Sequence, residues 1–226
     1  MDLPQLDAIE ARVLGALIEK DLTTPDYYPL SLNALVNACN QLNNREPVMA
    51  ITEADVTRAL DKLRDKRLAV VITGGDSRVL KFAHKATEVF ELKRAEVSLL
   101  CVLLLRGPQT VGELRGRTGR MHEFADLADV QAKLGGLANR EAPQPSLVTL
   151  LPRAPGTKES RYAHLLSGAP TFVPAAIAPG DNPAAFTAPL SSDTELMKQL
   201  EADNAELKRQ LAELRREFDE FRKKFD

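Results

Sequence analysis

Residues 94 to 166 repeat, in the same order, a pattern already laid down by residues 7 to 84, and a chain that carries one pattern twice has few folds open to it. In the first copy, Ile9, Val13, Ala16 and Leu17 recur at helical spacing, which predicts a helix over about residues 7 to 20. The prolines of "DLTTPDYYP" end it, and Ser31 then offers a hydroxyl cap for a second helix. On that second helix Leu32, Leu35, Val36, Cys39 and Leu42 make an apolar stripe, and Asn33, Asn37, Asn40 and Asn44 fall on another face. Thr52 with Asp55 reads as a capping box for a third helix, whose buried stripe is Val56, Ala59, Leu60 and Leu63. "RLAVVIT" and "RVLKFAH", flanking "GGDS", then read as a β-hairpin.

The second copy runs through "AEVSLLCVLLLRG", "TVGELRGRTG" and "DLADVQAKLGGLANR", and then the strand pair "SLVTLLPR" and "SRYAHLL". "ADV" opens both third helices, at Ala54 to Val56 and Ala128 to Val130, and "AH" closes both hairpins, at His84 and His164. Three helices followed by a two-stranded wing is the winged-helix arrangement, in which the second and third helices form a helix-turn-helix. The expected fold is therefore mainly α with small β-hairpins (α+β). Residues 1–93 and 94–166 form two tandem winged-helix domains, residues 167–191 a Pro/Ala-rich linker, and residues 192–226 a C-terminal coiled-coil helix.

The last segment carries a heptad repeat. Met197, Asn204, Leu211, Phe218 and Phe225 occupy position a, and Leu200, Leu207, Leu214 and Phe221 position d. Asn204 at an a position favours a register-fixed dimer, and a parallel pair would match Asp203 with Lys208 and Glu217 with Arg222. The alternative is a helix that packs on its own chain. The expectation is a homodimer through this helix.

"ARVLGALIEKDLTTPDYYPLSLNALVNACNQLNNREPV", residues 11 to 48, resembles the signature of the YceH-like family of uncharacterised bacterial proteins. That resemblance implies two winged-helix domains and a bacterial cytoplasmic setting. It hands over no catalytic residues, because the family's biochemical role is not established.

Function therefore has to be read from charge and chemistry. The longest apolar run, "LLCVLLL" at 99 to 105, is far short of the ~20 residues that span a bilayer, so no membrane partner is expected. Without a visible export signal, and with Cys39 and Cys101 both on apolar faces, a reduced cytoplasmic protein is expected. Three scattered histidines supply no ligand spacing for a metal, and no cofactor motif is present. Cys39 lies beside asparagines, as a thiol nucleophile can. No histidine shares its segment, however, and apolar surroundings raise a thiol pKa, so no enzyme is expected.

Residues 94 to 166 carry 10 basic and 7 acidic side chains, the only segment that is net basic. Arg115, Arg117 and Arg120 near its second helix, with Arg153, Lys158 and Arg161 in its hairpin, are the candidate phosphate contacts. In the first copy Arg58 and Lys62 join them, although Glu53 and Asp55 would repel phosphate at that helix start and Asp61 and Asp65 intervene. The asparagine face reads either as a set of amides for adenine or as bonds to the irregular backbone on either side. Tyr27 and Tyr28 are expected to pack with their hydroxyls wet. The leading expectation is a non-enzymatic protein that binds double-stranded DNA. The alternative is a module whose winged helices dock protein partners, similar in concept to the bacterial segregation and condensation accessory proteins.

Overall fold

The structure, a computed structural model, describes residues 3–73, 79–153, 156–157, 159–169 and 209. The heptad positions Met197 to Phe225, Lys158 and most of the linker lie outside the described residues. The chain divides into two units, Met1–Ala176 and Ile177–Asp226, and all that follows concerns the first.

The first three helices are α1 (Ala8–Thr23), α2 (Leu32–Cys39) and α3 (Glu53–Asp65). A short strand β1 (Leu30–Ser31) precedes α2, and the hairpin β2 (Ala69–Ile72) with β3 (Lys81–His84) follows α3. A short helix α4 (Ala86–Val89) leads into α5 (Arg94–Arg106), α6 (Val111–Thr118), α7 (Leu127–Ala138), and the strands β4 (Val148–Leu150) and β5 (Tyr162–His164). Seven α-helices and two small antiparallel sheets among the described residues make the chain α+β.

The two halves are built alike down to single residues. In the first, Leu30 pairs with Phe82 in β3 and Ser31 caps α2; in the second, Gln109 bridges Tyr162 in β5 and Thr110 caps α6. Ala69 faces His84 across one hairpin, and Val148 faces His164 across the other. Thr52 caps α3 and Asp126 caps α7, each accepting from the backbone N–H three residues on. The box between Thr52 and Asp55 is closed in both directions, because the shorter Asp side chain still reaches the Thr52 N–H at 3.1 Å.

The halves share a core centred on α1 and α5. Both helices are buried on nearly every side, from Glu10 to Ile18 and from Val97 to Leu105, which explains why "LLCVLLL" carries no polar stripe. The helices approach closely because Gly15 has no side chain. A Cβ there would lie 2.8 Å from Leu105 Cδ2 and 3.2 Å from Leu104 Cβ, and the Cys101 thiol donates to the Gly15 carbonyl at 3.4 Å.

Two expectations for the second helix need correction. It ends at Cys39, so Leu42 and Asn44 lie beyond it and the asparagines form no continuous face. Leu42 is 79% exposed instead of buried. The helix stops where the Arg45 guanidinium, returning from downstream, takes the Ala38 carbonyl (Nε 3.1 Å, Nη2 2.8 Å) that a further turn would have used. Cys39 is buried with the leucines as expected, and burial pushes its thiol up to about 12.

Candidate nucleic-acid interface

Gly107, at φ +70°, turns the chain out of α5, and Thr110 opens α6 with a capping box to Glu113 (3.2 and 2.8 Å). Leu114 and Thr118 anchor the inner face of α6 in the core. That leaves Arg115, Gly116 and Arg117, followed by Gly119 and Arg120, toward solvent. An added Cβ at Gly116 or Gly119 would meet nothing within 4 Å, so this face admits a close approach by another molecule.

Arg117 and Arg120 line a cleft of about 760 Å³ together with Arg106 from the end of α5 and Lys20 from α1. The cleft's one carboxylate, Glu19, is already engaged. It holds the buried Arg45 guanidinium at 2.6 Å, with Lys20 Nζ at 3.6 Å. The cations of the wall thus share their nearby carboxylates: Lys20 shares Glu19 with Arg45, and Arg117 shares Glu113 with Arg161. Burial, then the neighbouring Arg117, hold the Arg106 guanidinium below its ordinary pKa, and Arg106 donates to the Asn44 side-chain oxygen across the cleft. The Nη1 atom of Arg117 is buried without a hydrogen-bond partner among the described residues. Among the described residues, the side chain's one carboxylate contact is from Nη2 to Glu113 at 3.9 Å.

The other candidates are placed differently. Arg115 is exposed and donates to the Ala125 carbonyl at 2.9 Å, beside a second, shallower cleft that shares Gly116 and Gly119 with the first. Arg161 is not free for phosphate, because both its terminal nitrogens bind Glu113, at 2.7 and 3.3 Å. Glu113 is held below the usual carboxylate range. Its burial pulls the other way and is outweighed by the Thr110 N–H and by Arg161. Arg153 is exposed on the hairpin. On α3, Arg58 is paired with Asp55, Lys62 with Asp7 at 2.8 Å and Arg64 with Asp61 at 3.1 Å, and Lys66, just past its end, with Glu10 at 2.6 Å. The bond to Asp7 also raises the Lys62 pKa. The most exposed residues of α7 are Leu127, Ala128, Gln131, Ala132 and Gly136, none of them charged, with Asp129 and Lys133 half-buried beside them.

A family described as a protein of unknown function, DUF480, matches residues 6–157, which contain every residue of this cleft. The chain belongs to the DUF480 family. It is 57% identical over 196 residues to a UPF0502 protein of Opitutus terrae, covering 87% of this chain and 84% of that one. A UPF0502 protein of Geotalea uraniireducens is 50% identical over 200 residues (88% and 89% covered). One of Solibacter usitatus is 50% identical over 209 residues (91% and 94% covered).

Lys20 and Arg106, which line this DUF480 cleft, and Arg45, which is buried behind it against Glu19, are the residues that sequence spacing missed. They come from three separate elements, and nothing local marks them. The asparagines resolve in favour of backbone satisfaction at Asn40, whose amide both donates to the Ile51 carbonyl and accepts from the Ile51 N–H, each at 2.8 Å. Tyr28 is partly buried and its hydroxyl accepts from the His84 N–H at 2.6 Å, whereas Tyr27 is 80% exposed and packs little. Both hairpin-end histidines have lowered pKa values because they are buried: His84, which also meets Asp21 at 3.2 Å, and His164, which falls to about 4. No helix among the described residues is long and apolar enough to cross a membrane.

Proposed function

We propose that this chain is a non-enzymatic, cytoplasmic tandem winged-helix protein. Its α6 arginines grip the phosphate backbone of double-stranded DNA in a regulatory or architectural role. The twice-repeated order of three helices and a hairpin, with matched caps and matched strand partners, supports the winged-helix reading. The observation that carries the DNA reading is the cluster of Arg106, Arg117, Arg120 and Lys20 in one cleft whose lining carboxylate, Glu19, also pairs with the buried Arg45. The open glycines between the α6 arginines let a sugar-phosphate backbone come close.

Binding of this kind positions the protein and reads little sequence. The third helices, which would enter the major groove, offer paired charges on α3 and, as the most exposed residues of α7, uncharged ones. The C-terminal heptads supply the dimer, so that two sets of α6 arginines act together where geometry allows. The test is the salt dependence of binding to random duplex DNA, for the full chain and for Arg115, Arg117 and Arg120 changed together to alanine. The full chain is expected to weaken steeply between about 50 and 200 mM salt, and the triple variant to lose about 0.9 of slope per phosphate contact removed. Absence of binding at low salt, or a triple variant that binds like the parent chain, sinks the reading.

A second reading, docking of a protein partner, is favoured by one specific feature. The most exposed residues of α7 include Leu127 at 49% exposure, and Leu150 of the neighbouring hairpin stands 52% exposed.

A further inference from the structure

We infer that the cleft between the two halves is a binding site for a small phosphorylated molecule of nucleotide size. The inference shares Arg117 and Arg120 with the DNA reading but does not rest on it. A duplex can touch the rim of a concavity of about 760 Å³ but cannot enter it, whereas that volume is in the ordinary range for small-molecule sites.

The lining combines two kinds of chemistry. Arg106, Arg117, Arg120 and Lys20 all contribute to it, drawn from α1, α5, α6 and the residues just after α6, so the site exists only when the two halves are packed together. A guanidinium fork matches a phosphate's oxygens in two parallel hydrogen bonds, and the partly exposed Arg117 side chain is held by no carboxylate among the described residues nearer than Glu113 at 3.9 Å. The depressed pKa of Arg106, caused by burial and by Arg117 beside it, points to the same excess of positive charge.

The remaining lining is not that of a bare-ion site. Val102, Leu105 and Met121 are apolar, and Leu42 stands largely exposed. A planar heterocycle in the cleft would cover Leu42, with the exposed Asn43 amide in the same lining to meet its polar edge. Cations for phosphate together with apolar and amide lining describe a nucleotide more closely than free phosphate or a lipid headgroup.

The experiment is calorimetric titration of the full-length protein with adenosine triphosphate, pyrophosphate and adenosine, each at low salt and without divalent metal. A duplex-binding assay runs beside it. Adenosine triphosphate is expected to bind with a dissociation constant below about 1 mM, more tightly than pyrophosphate, and adenosine not at all. Arg120→Gln, an exposed change, and Arg117→Gln are each expected to weaken binding at least about tenfold, at matched melting temperature, by removal of a charge-assisted contact. Lys133→Gln on α7, outside the lining, is expected to bind as the parent does. No binding of adenosine triphosphate, or binding indifferent to both arginine variants, overturns the inference. Pyrophosphate binding as tightly as adenosine triphosphate overturns the nucleotide assignment. Nucleotide binding without duplex binding removes the DNA reading alone, and duplex binding without nucleotide binding removes this inference alone.

Discussion

Changing Glu19 to glutamine tests whether the cleft is held open by a buried ion pair. The Arg45 side chain is wholly buried and Glu19 nearly so, and the guanidinium meets the two carboxylate oxygens at 3.1 and 2.6 Å. The same guanidinium also donates to the Ala38 and Asn44 carbonyls and to Gln41, so it fixes the segment from 41 to 44 that forms one wall of the cleft. Glutamine keeps a hydrogen-bonding shape but leaves a buried cation without its counter-charge, a loss of about 3 kcal/mol. For a chain of this size that corresponds to a fall of about 6–12 °C in melting temperature. Arg45→Met removes the cation but strands the carboxylate and the Ala38 carbonyl, so it is expected to cost at least as much. The double variant Glu19→Gln/Arg45→Met contains neither stranded charge. Its loss is expected to fall short of the sum of the two single losses by about 2 kcal/mol in urea or thermal unfolding. Losses that add to within about 0.5 kcal/mol refute the reasoning, because the two groups would then not share their energy.

Three other outcomes follow from the same geometry. His164 is driven by burial to about 4, below its ordinary value of 6.5, so the neutral ring is favoured in the fold. Its stabilising effect is complete above pH 6.5 and is lost as pH falls toward 4, by up to about 3 kcal/mol. His164→Leu should therefore gain on the parent chain by about that amount across this window in urea melts, and parallel curves would contradict it. Gly15→Val should cost about 2–3 kcal/mol, because its Cβ falls 2.8 Å from Leu105 Cδ2 in the packed α1–α5 contact. An unchanged melting temperature would mean that α5 shifts freely. Asn40→Ala strips both hydrogen bonds from the Ile51 backbone and should cost about 2 kcal/mol while leaving duplex affinity within about twofold. A large loss of affinity at unchanged stability would return Asn40 to a contact role.

What was legible in the sequence was local. The Ser31 and Thr52 caps, the buried stripe of α3 and the repetition of "ADV" and "AH" depend on neighbours a few residues apart, and each stands where the spacing put it. The asparagine face failed because Arg45, lying past the helix end, captures the Ala38 carbonyl, and no periodicity encodes that return. Charge pairing was equally hidden. Arg161, chosen as a candidate phosphate contact, pairs in the fold with Glu113 at the start of α6, some fifty residues earlier in the chain, which no spacing shows. The α6 arginines were visible as a basic run, but Lys20 and Arg106 join them only through the α1–α5 packing. That packing rests on Gly15, a residue with no side chain to show in a hydrophobic pattern.

The most direct measurement is an arginine-modification footprint of the full chain, read residue by residue by mass spectrometry, with and without a random DNA duplex. Arg115, Arg117 and Arg120 are expected to be protected when DNA is bound, with Arg106 protected beside them, while Arg58 and Arg64 on α3 react unchanged. Equal reactivity of the α6 arginines in both states, with protection of Arg58 and Arg64 instead, would contradict the placement of the phosphate-contact surface on α6 and its cleft.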